Sequence, residues 1–405
     1  MKKKDLLITN NIKDKYCKKK LIQKYSKSFK GVISDIKLDI LNSKKTLNVL
    51  DKKFKINFKI KDLEKFKKFK SIVLIGMGGS ILGAEAINNF LEKKIKKKIF
   101  FLDDINQEKI FKLKKIKNFN KSLFLIISKS GNTIETISNL FSLNIIKKNS
   151  KNLIFISEKK NNFITNLVKD LNLFYIEHKN FIGGRFSVLS EVGLIPGYLM
   201  GIDIKKLRAK IQSYLKGKEE SILKEGSIKL ASLHSSKKLN NIIFINYAPE
   251  LEKFLFWSQQ LIAESLGKKN KGFLPIVSNT PKDHHSLLQL YLDGPKDKLF
   301  YVFSINLNSK EKLKIKKITK LSNFLDQKTL SCIKSAQKNA LIQTFKKKQI
   351  PFREFKINQI NEETLGKLFS YFILETIIVG KLNNIDPYNQ PAVEQVKVLT
   401  KKLLS

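Results

Sequence analysis

The 405-residue chain is too long for a small disulfide-stapled scaffold, and its 42% apolar fraction excludes the disordered and fibrous classes. Its 79 Lys and Arg against 35 Asp and Glu leave a net charge of +44, yet the excess is spread along the whole chain and is nearly all Lys, which reads as a genome-wide compositional bias and not as a nucleic-acid patch. With only Cys17 and Cys332, and no apolar run reaching the roughly 18–20 residues that span a bilayer, the expectation is a cytoplasmic protein without disulfides, signal peptide or membrane contact.

Residues 1–55 form a Lys-rich opening, expected to be a helical amino-terminal segment. Over 56–205, short apolar runs predict strands at 71–75, 99–102, 123–127, 153–156 and 173–176, separated mostly by helical patterns, notably 81–91, 134–146 and 163–171. Strands alternating with helices imply a parallel sheet covered on both faces. The rhythm returns over 206–383, with strands at 241–246 and 300–305 and long helices at 249–266 and 359–382. The Lys-rich helical stretch 201–239 is the candidate linker, and 384–405 is a carboxy-terminal arm opening with a Pro-containing loop. The expected fold is α/β, two doubly wound parallel-sheet domains flanked by helices.

Gly76-Met77-Gly78-Gly79-Ser80 lies between a predicted strand and a helix, where glycines allow close backbone approach and a helix start offers N–H groups to an anion. Ile81 stands where a dinucleotide fingerprint needs glycine, and no Gly-Lys-Ser/Thr follows, so a phosphate is favoured over a mere tight turn. Ser128-Lys129-Ser130-Gly131-Asn132-Thr133 again follows a strand and precedes a helix. It reads as a phosphate cradle of three hydroxyls and an ammonium, or as an ordinary helix cap at Thr133 with Thr136 in the capping-box position.

Gly183-Gly184-Arg185 carries one of three arginines, with Arg208 and Arg353, in a chain that otherwise uses Lys. A planar fork there suits an oxyanion or a phosphate, where a surface ion pair would have been served by Lys. Gln260 and Glu264 lie near the end of a helix rich in Phe254, Phe256 and Trp257, where apolar surroundings would raise Glu264 toward a useful base, although a lone carboxylate at a helix end is more often simply solvated. Asp283-His284-His285 supplies two of four histidines without the cysteines or clustered carboxylates of a metal site, and no metal is assigned. Asn389-Gln390-Pro391 opens the last helix, which carries Lys397.

These motifs, in this order from about residue 70 to 401, resemble those of the phosphoglucose isomerase family, whose two sugar-isomerase domains each hold a parallel sheet; Gly183 to Gly201 and Gln260 to Gly272 are similar to its two signatures. The resemblance implies an aldose-ketose isomerase interconverting glucose 6-phosphate and fructose 6-phosphate through an enediol, without cofactor. It implies that Ser80, Ser128, Lys129, Ser130, Thr133 and the backbone of Gly79 bind the phosphate, and that Gln260 and Gln390 contact the sugar. Glu264 becomes the base, Arg185 the group facing the enediolate, and His285 and Lys397 the groups assisting ring opening, His284 being the neighbouring alternative. The family's histidine comes from a neighbouring subunit, which implies a homodimer with a shared site. Competing readings are a sugar-phosphate-binding regulatory protein without catalysis, a dual glucose and mannose phosphate isomerase, and a nucleic-acid-binding protein, the last without a supporting motif.

Overall fold

The computed structural model describes residues 4–306, 310–315 and 323–405. Parts of two expected units, residues 1–3 of the first segment and 307–309 and 316–322 of the second sheet-bearing unit, lie outside the described residues. The strands are β1 (Leu6–Asn11), β2 (Ser71–Gly76), β3 (Lys98–Leu102), β4 (Leu123–Ile127), β5 (Leu153–Ser157), β6 (Phe174–Glu177), β7 (Asn241–Asn246), β8 (Leu274–Asn279), β9 (Lys298–Ile305) and β10 (Phe352–Ile357). They form two sheets, in the orders β3-β2-β4-β5-β6 and β1-β10-β9-β7-β8. Every pairing is parallel except that of β1 with β10. The fold is the expected α/β architecture, with one antiparallel edge supplied by the amino end.

The central strands β2, β4 and β5 are almost wholly buried, which is why they read as unbroken apolar runs instead of alternating ones. Successive side chains still divide between the two faces. Ile72, Leu74, Leu125 and Ile127 join a core that continues to Phe244, Tyr301 and Phe355 of the second sheet, so the two sheets share one interior. Val73, Phe124 and Ile126 face outward onto Leu140 and Ile164 of helices Ile134–Ser142 and Phe163–Leu171. Helices Leu82–Phe90 and Glu252–Leu266 pack on each other and fasten the two halves together.

Four elements differ from the sequence reading. The Lys-rich opening contributes β1 to the second sheet before its helix Lys19–Leu41 begins. The stretch read as a linker is instead a packed layer. Helix Gly217–Ser236 buries Leu223, Ile228, Leu230 and Leu233 and packs on Glu362–Leu382, its exposed Lys side hiding an apolar inner face. Strands β8 and β10 carried too weak a pattern: β8 contains Pro275, tolerable because it lies at a sheet edge, and β10 interleaves charged residues with Phe352, Phe355 and Ile357.

The strand order decides where a ligand can sit. Strand β3 lies on one side of β2 and β4 on the other, so the connections leaving β2 and β4 run to opposite directions and open a crevice at their carboxyl ends. Open α/β sheets bind ligands at such a switch point. Gly76 pairs with Ile127 in register, so the loops that follow, Met77–Ser80 and Ser128–Thr133, leave the sheet side by side.

Candidate active site

Both loops have the chemistry to receive an anion. Residues Gly78–Ser80 form a single tight turn before helix Leu82–Phe90, and no side chain caps that helix. Helix Ile134–Ser142 has Thr133 at its cap position, yet the Thr133 hydroxyl makes no cap bond. It pairs with Ser128 Oγ at 2.8 Å and lies 3.4 Å from Ser130 Oγ. The ordinary capped-helix reading is therefore not what the loop does: hydroxyls gather at a helix start whose amide groups have no side-chain acceptor, an arrangement suited to phosphate. Lys129 differs from the expected cradle in using its ammonium on Glu158, at 3.4 Å.

Arg185 is the hub. Its loop crosses Gly79 so closely that a Cβ there would sit 2.2 Å from the Gly184 carbonyl carbon and 2.6 Å from Arg185 N, so only glycine fits. The guanidinium, 2% exposed, spends its donors in a fixed fan. Nε donates to Ser265 Oγ at 2.8 Å, Nη2 to the carbonyls of Pro387 (2.7 Å) and Asn389 (3.1 Å), and Nη1 to Glu264 Oε2 at 3.1 Å and to Gln390 Oε1. Five donors in one plane make this possible and a Lys could not replace them. Burial draws the guanidinium below its ordinary pKa, with Glu264 pulling the other way.

Glu264 is held by the same helix that builds the core. Phe254, Leu255, Trp257, Leu261 and Ile262 are buried, each worth about 1.5–3 kcal/mol, and fix the rotation of helix Glu252–Leu266. Gln260 and Glu264, four residues apart, then share the remaining face, and Gln260 Nε2 donates to Glu264 Oε1 at 3.0 Å. The expected apolar pocket around Glu264 is not present. The carboxylate is 29% exposed and bracketed by a cation and an amide, because Phe254 and Trp257 point inward and Phe256 lies exposed, while Glu264 borders a cavity. Gly78, at φ +52°, approaches Gln260 so closely that a Cβ would lie 2.8 Å from its Nε2, which ties the Gly78–Ser80 turn to the Gln260–Glu264 pair. A cavity of about 1200 Å³ opens beside Glu264, walled by Lys268, Asn389, Gln390 and Pro391.

Residues not singled out from sequence support this cluster. Ser265 orients Arg185, and Lys268 Nζ donates to Asn389 O at 2.7 Å, holding the loop that presents Gln390. His178 donates from Nε2 to Ile182 O at 3.1 Å just before the Gly183–Gly184 pair; burial lowers its pKa to about 4, so the ring stays neutral. His234 does the same for Leu266 O at the end of the Glu264 helix. A lone buried histidine or serine has no periodicity or spacing that could mark it in a sequence.

Two expected residues are not gathered. His285 lies exposed on the turn Lys282–His285 and makes no hydrogen bond or ion pair among the described residues, while His284 is engaged by Tyr247 OH at 2.7 Å. Lys397 sits on helix Glu394–Leu404, which buries no side chain, and pairs with Glu394 at 2.8 Å. Chemically, the assembled part places a carboxylate, a fixed guanidinium and two amides next to an anion cradle, the requirements for moving a proton beside a carbonyl.

A family model described as Phosphoglucose isomerase matches residues 27–405. A probable glucose-6-phosphate isomerase from Methanococcus maripaludis is 33% identical over 380 residues, covering 91% of this chain and 84% of its own. The glucose-6-phosphate isomerase of Methanocaldococcus jannaschii is 34% identical over 367 residues, covering 85% and 87%. A hypothetical protein from Thermus thermophilus has the same fold, with a TM-score of 0.78 at 22% identity over 98% of this chain and 100% of that one.

Proposed function

The chain belongs to the phosphoglucose isomerase family, and from that premise we infer how its residues interconvert glucose 6-phosphate and fructose 6-phosphate. The phosphate is received by the hydroxyls of Ser80, Ser128, Ser130 and Thr133 and by the backbone around Gly79 and Lys129, at the two uncapped helix starts. Anchoring there supplies binding energy that orients the distant reacting carbons. Glu264 takes the C2 proton of the open-chain aldose and returns it at C1. Arg185 faces the oxygen that becomes negative in the enediolate, while Gln260 and Gln390 hold the sugar hydroxyls. A single observation carries this reading: Glu264 and Arg185 meet at 3.1 Å while the Arg185 backbone packs on Gly79 of the phosphate turn.

Ring opening needs a proton delivered to the ring oxygen and one removed from the C1 hydroxyl. We assign it to Lys397 and to His285 of a second copy, since His285 is exposed and the carboxy-terminal helix leaves Val396, Leu399 and Leu403 uncovered within one chain. The working form is thus a homodimer with shared sites. No helix among the described residues is long and apolar enough to cross a membrane, and the two free cysteines suit a reducing cytoplasm.

The test is Glu264→Gln in a coupled assay with fructose 6-phosphate. General base catalysis contributes roughly 10²- to 10⁴-fold, and turnover should fall by that factor while the variant still binds fructose 6-phosphate in calorimetry. Full turnover in the variant removes the mechanism.

A further inference from the structure

The second sheet has a switch point of its own. Counted from β7, its strand order repeats that of the first sheet, with β8 on one side of β7 and β9 on the other, then β10. The carboxyl ends of β7 and β9 therefore part over a crevice, as those of β2 and β4 do. A cavity of about 440 Å³ lies there, within the roughly 300–1,000 Å³ typical of small-molecule sites. Its walls include Tyr247 and Glu250 after β7, Ser304 at the end of β9, Lys356 of β10, and Ser331 and Lys334 of helix Leu330–Lys347.

The polar groups of this cavity are incomplete without an occupant. Ser304 is 9% exposed, and its hydroxyl has no hydrogen-bond partner among the described residues. A buried hydroxyl left without a partner costs on the order of 1–3 kcal/mol, so its placement calls for an acceptor or donor from outside the chain. Lys356 stands beside Ser304 in register on the neighbouring strand, and neither it nor Lys334 makes an ion pair among the described residues. Lys338, by contrast, is neutralised by Glu354 at 2.8 Å, and Glu250 is the one carboxylate among the described residues of the cavity wall. The balance favours an anion. The cavity is separate from the isomerase site: Pro249 and Glu250 precede helix Glu252–Leu266, whose far end carries Glu264, and its 15 residues span about 22 Å.

We propose that this second switch point binds a small phosphate-bearing molecule, held by the Ser304 hydroxyl and the ammonium groups of Lys334 and Lys356, independently of the isomerase site.

Equilibrium dialysis of the full chain with labelled orthophosphate should find two classes of site. The paired change Ser128→Ala and Thr133→Val should weaken one class, and Lys334→Gln with Lys356→Gln should weaken the other about tenfold while leaving turnover of fructose 6-phosphate unchanged. Ser304→Ala, which removes only a hydroxyl, should weaken that same second class and decides the matter alone should the lysine variant not fold. A single class lost with the Ser128 loop, or a second class indifferent to Ser304 and both lysines, overturns the proposal. Absence of isomerase activity in the unaltered chain, with the second class intact, would count against the isomerase mechanism only.

Discussion

Two buried arginines, each paired with a glutamate, do different work in the two halves of this molecule. Arg353 of β10 is 0% exposed, donates from Nη1 to both oxygens of Glu375 at 2.8 and 2.9 Å and to Tyr301 OH at 2.9 Å, and gives its other nitrogens to Asn10 and Tyr371. Arg185 is nearly as buried, but its carboxylate partner is 29% exposed and borders a cavity. Burial depresses both guanidinium groups. At Arg353 the enclosed Glu375 and two tyrosines outweigh it and push the pKa well above the ordinary value, whereas at Arg185 burial prevails over Glu264. An enclosed partner makes a strut, and an exposed one leaves charge available to a ligand.

The same substitution made in both pairs gives crossed outcomes. Glu375→Gln strands the Arg353 charge in the core and should cost about 3–5 kcal/mol in urea unfolding, with turnover per folded molecule retained. Glu264→Gln should leave unfolding within about 1 kcal/mol of the parent, since its partner keeps Ser265, Gln390 and two carbonyls, and should lose turnover instead. Equal stability losses in the two variants would erase the distinction. A somewhat smaller effect is expected from Arg185→Lys, which keeps the charge but cannot span Ser265, Glu264 and the Pro387 carbonyl together. Turnover should fall by roughly 10²- to 10³-fold, the cost of losing an oxyanion donor, with KM for fructose 6-phosphate little changed. A rise in KM alone would make Arg185 a binding residue and not a group for the enediolate.

The two arginines also mark how far the sequence could be read. Rarity of Arg in a Lys-rich chain flagged positions 185, 208 and 353 equally, and all three use the planar fork, Arg208 on the carbonyls of Val49, Leu189 and Asp51. Which fork faces a cleft depends on contacts between Gly79 and Gly184 and between Gln260 and Gly78, and these are set by packing of elements far apart in the chain. The central strands were legible because burial on both faces leaves uninterrupted apolar runs. Edge strands β1 and β8 were not, being half exposed, and helix Gly217–Ser236 hid its apolar stripe beneath lysines. His285 and Lys397 both lie exposed on the outside of the chain, where neither periodicity nor spacing marks a role.

The smallest effect tests the hydroxyl cluster of the Ser128–Thr133 loop. Thr133→Val removes one hydroxyl from the Ser128–Ser130 cluster and keeps the side chain's shape. A hydrogen bond to a charged group is worth about 1.5–3 kcal/mol, and about 1.4 kcal/mol is a factor of ten, so KM for fructose 6-phosphate should rise roughly tenfold or somewhat more. If kcat is unaffected, the Thr133 contact is equally strong in substrate and transition state, as expected of an anchor remote from the reacting carbons. If kcat falls with KM unchanged, the phosphate loop does more than anchor. Its binding energy is then realised at the proton transfer itself, transmitted through the Gly78–Gln260 and Gly79–Arg185 approaches that join the two loops to the Arg185–Glu264 pair.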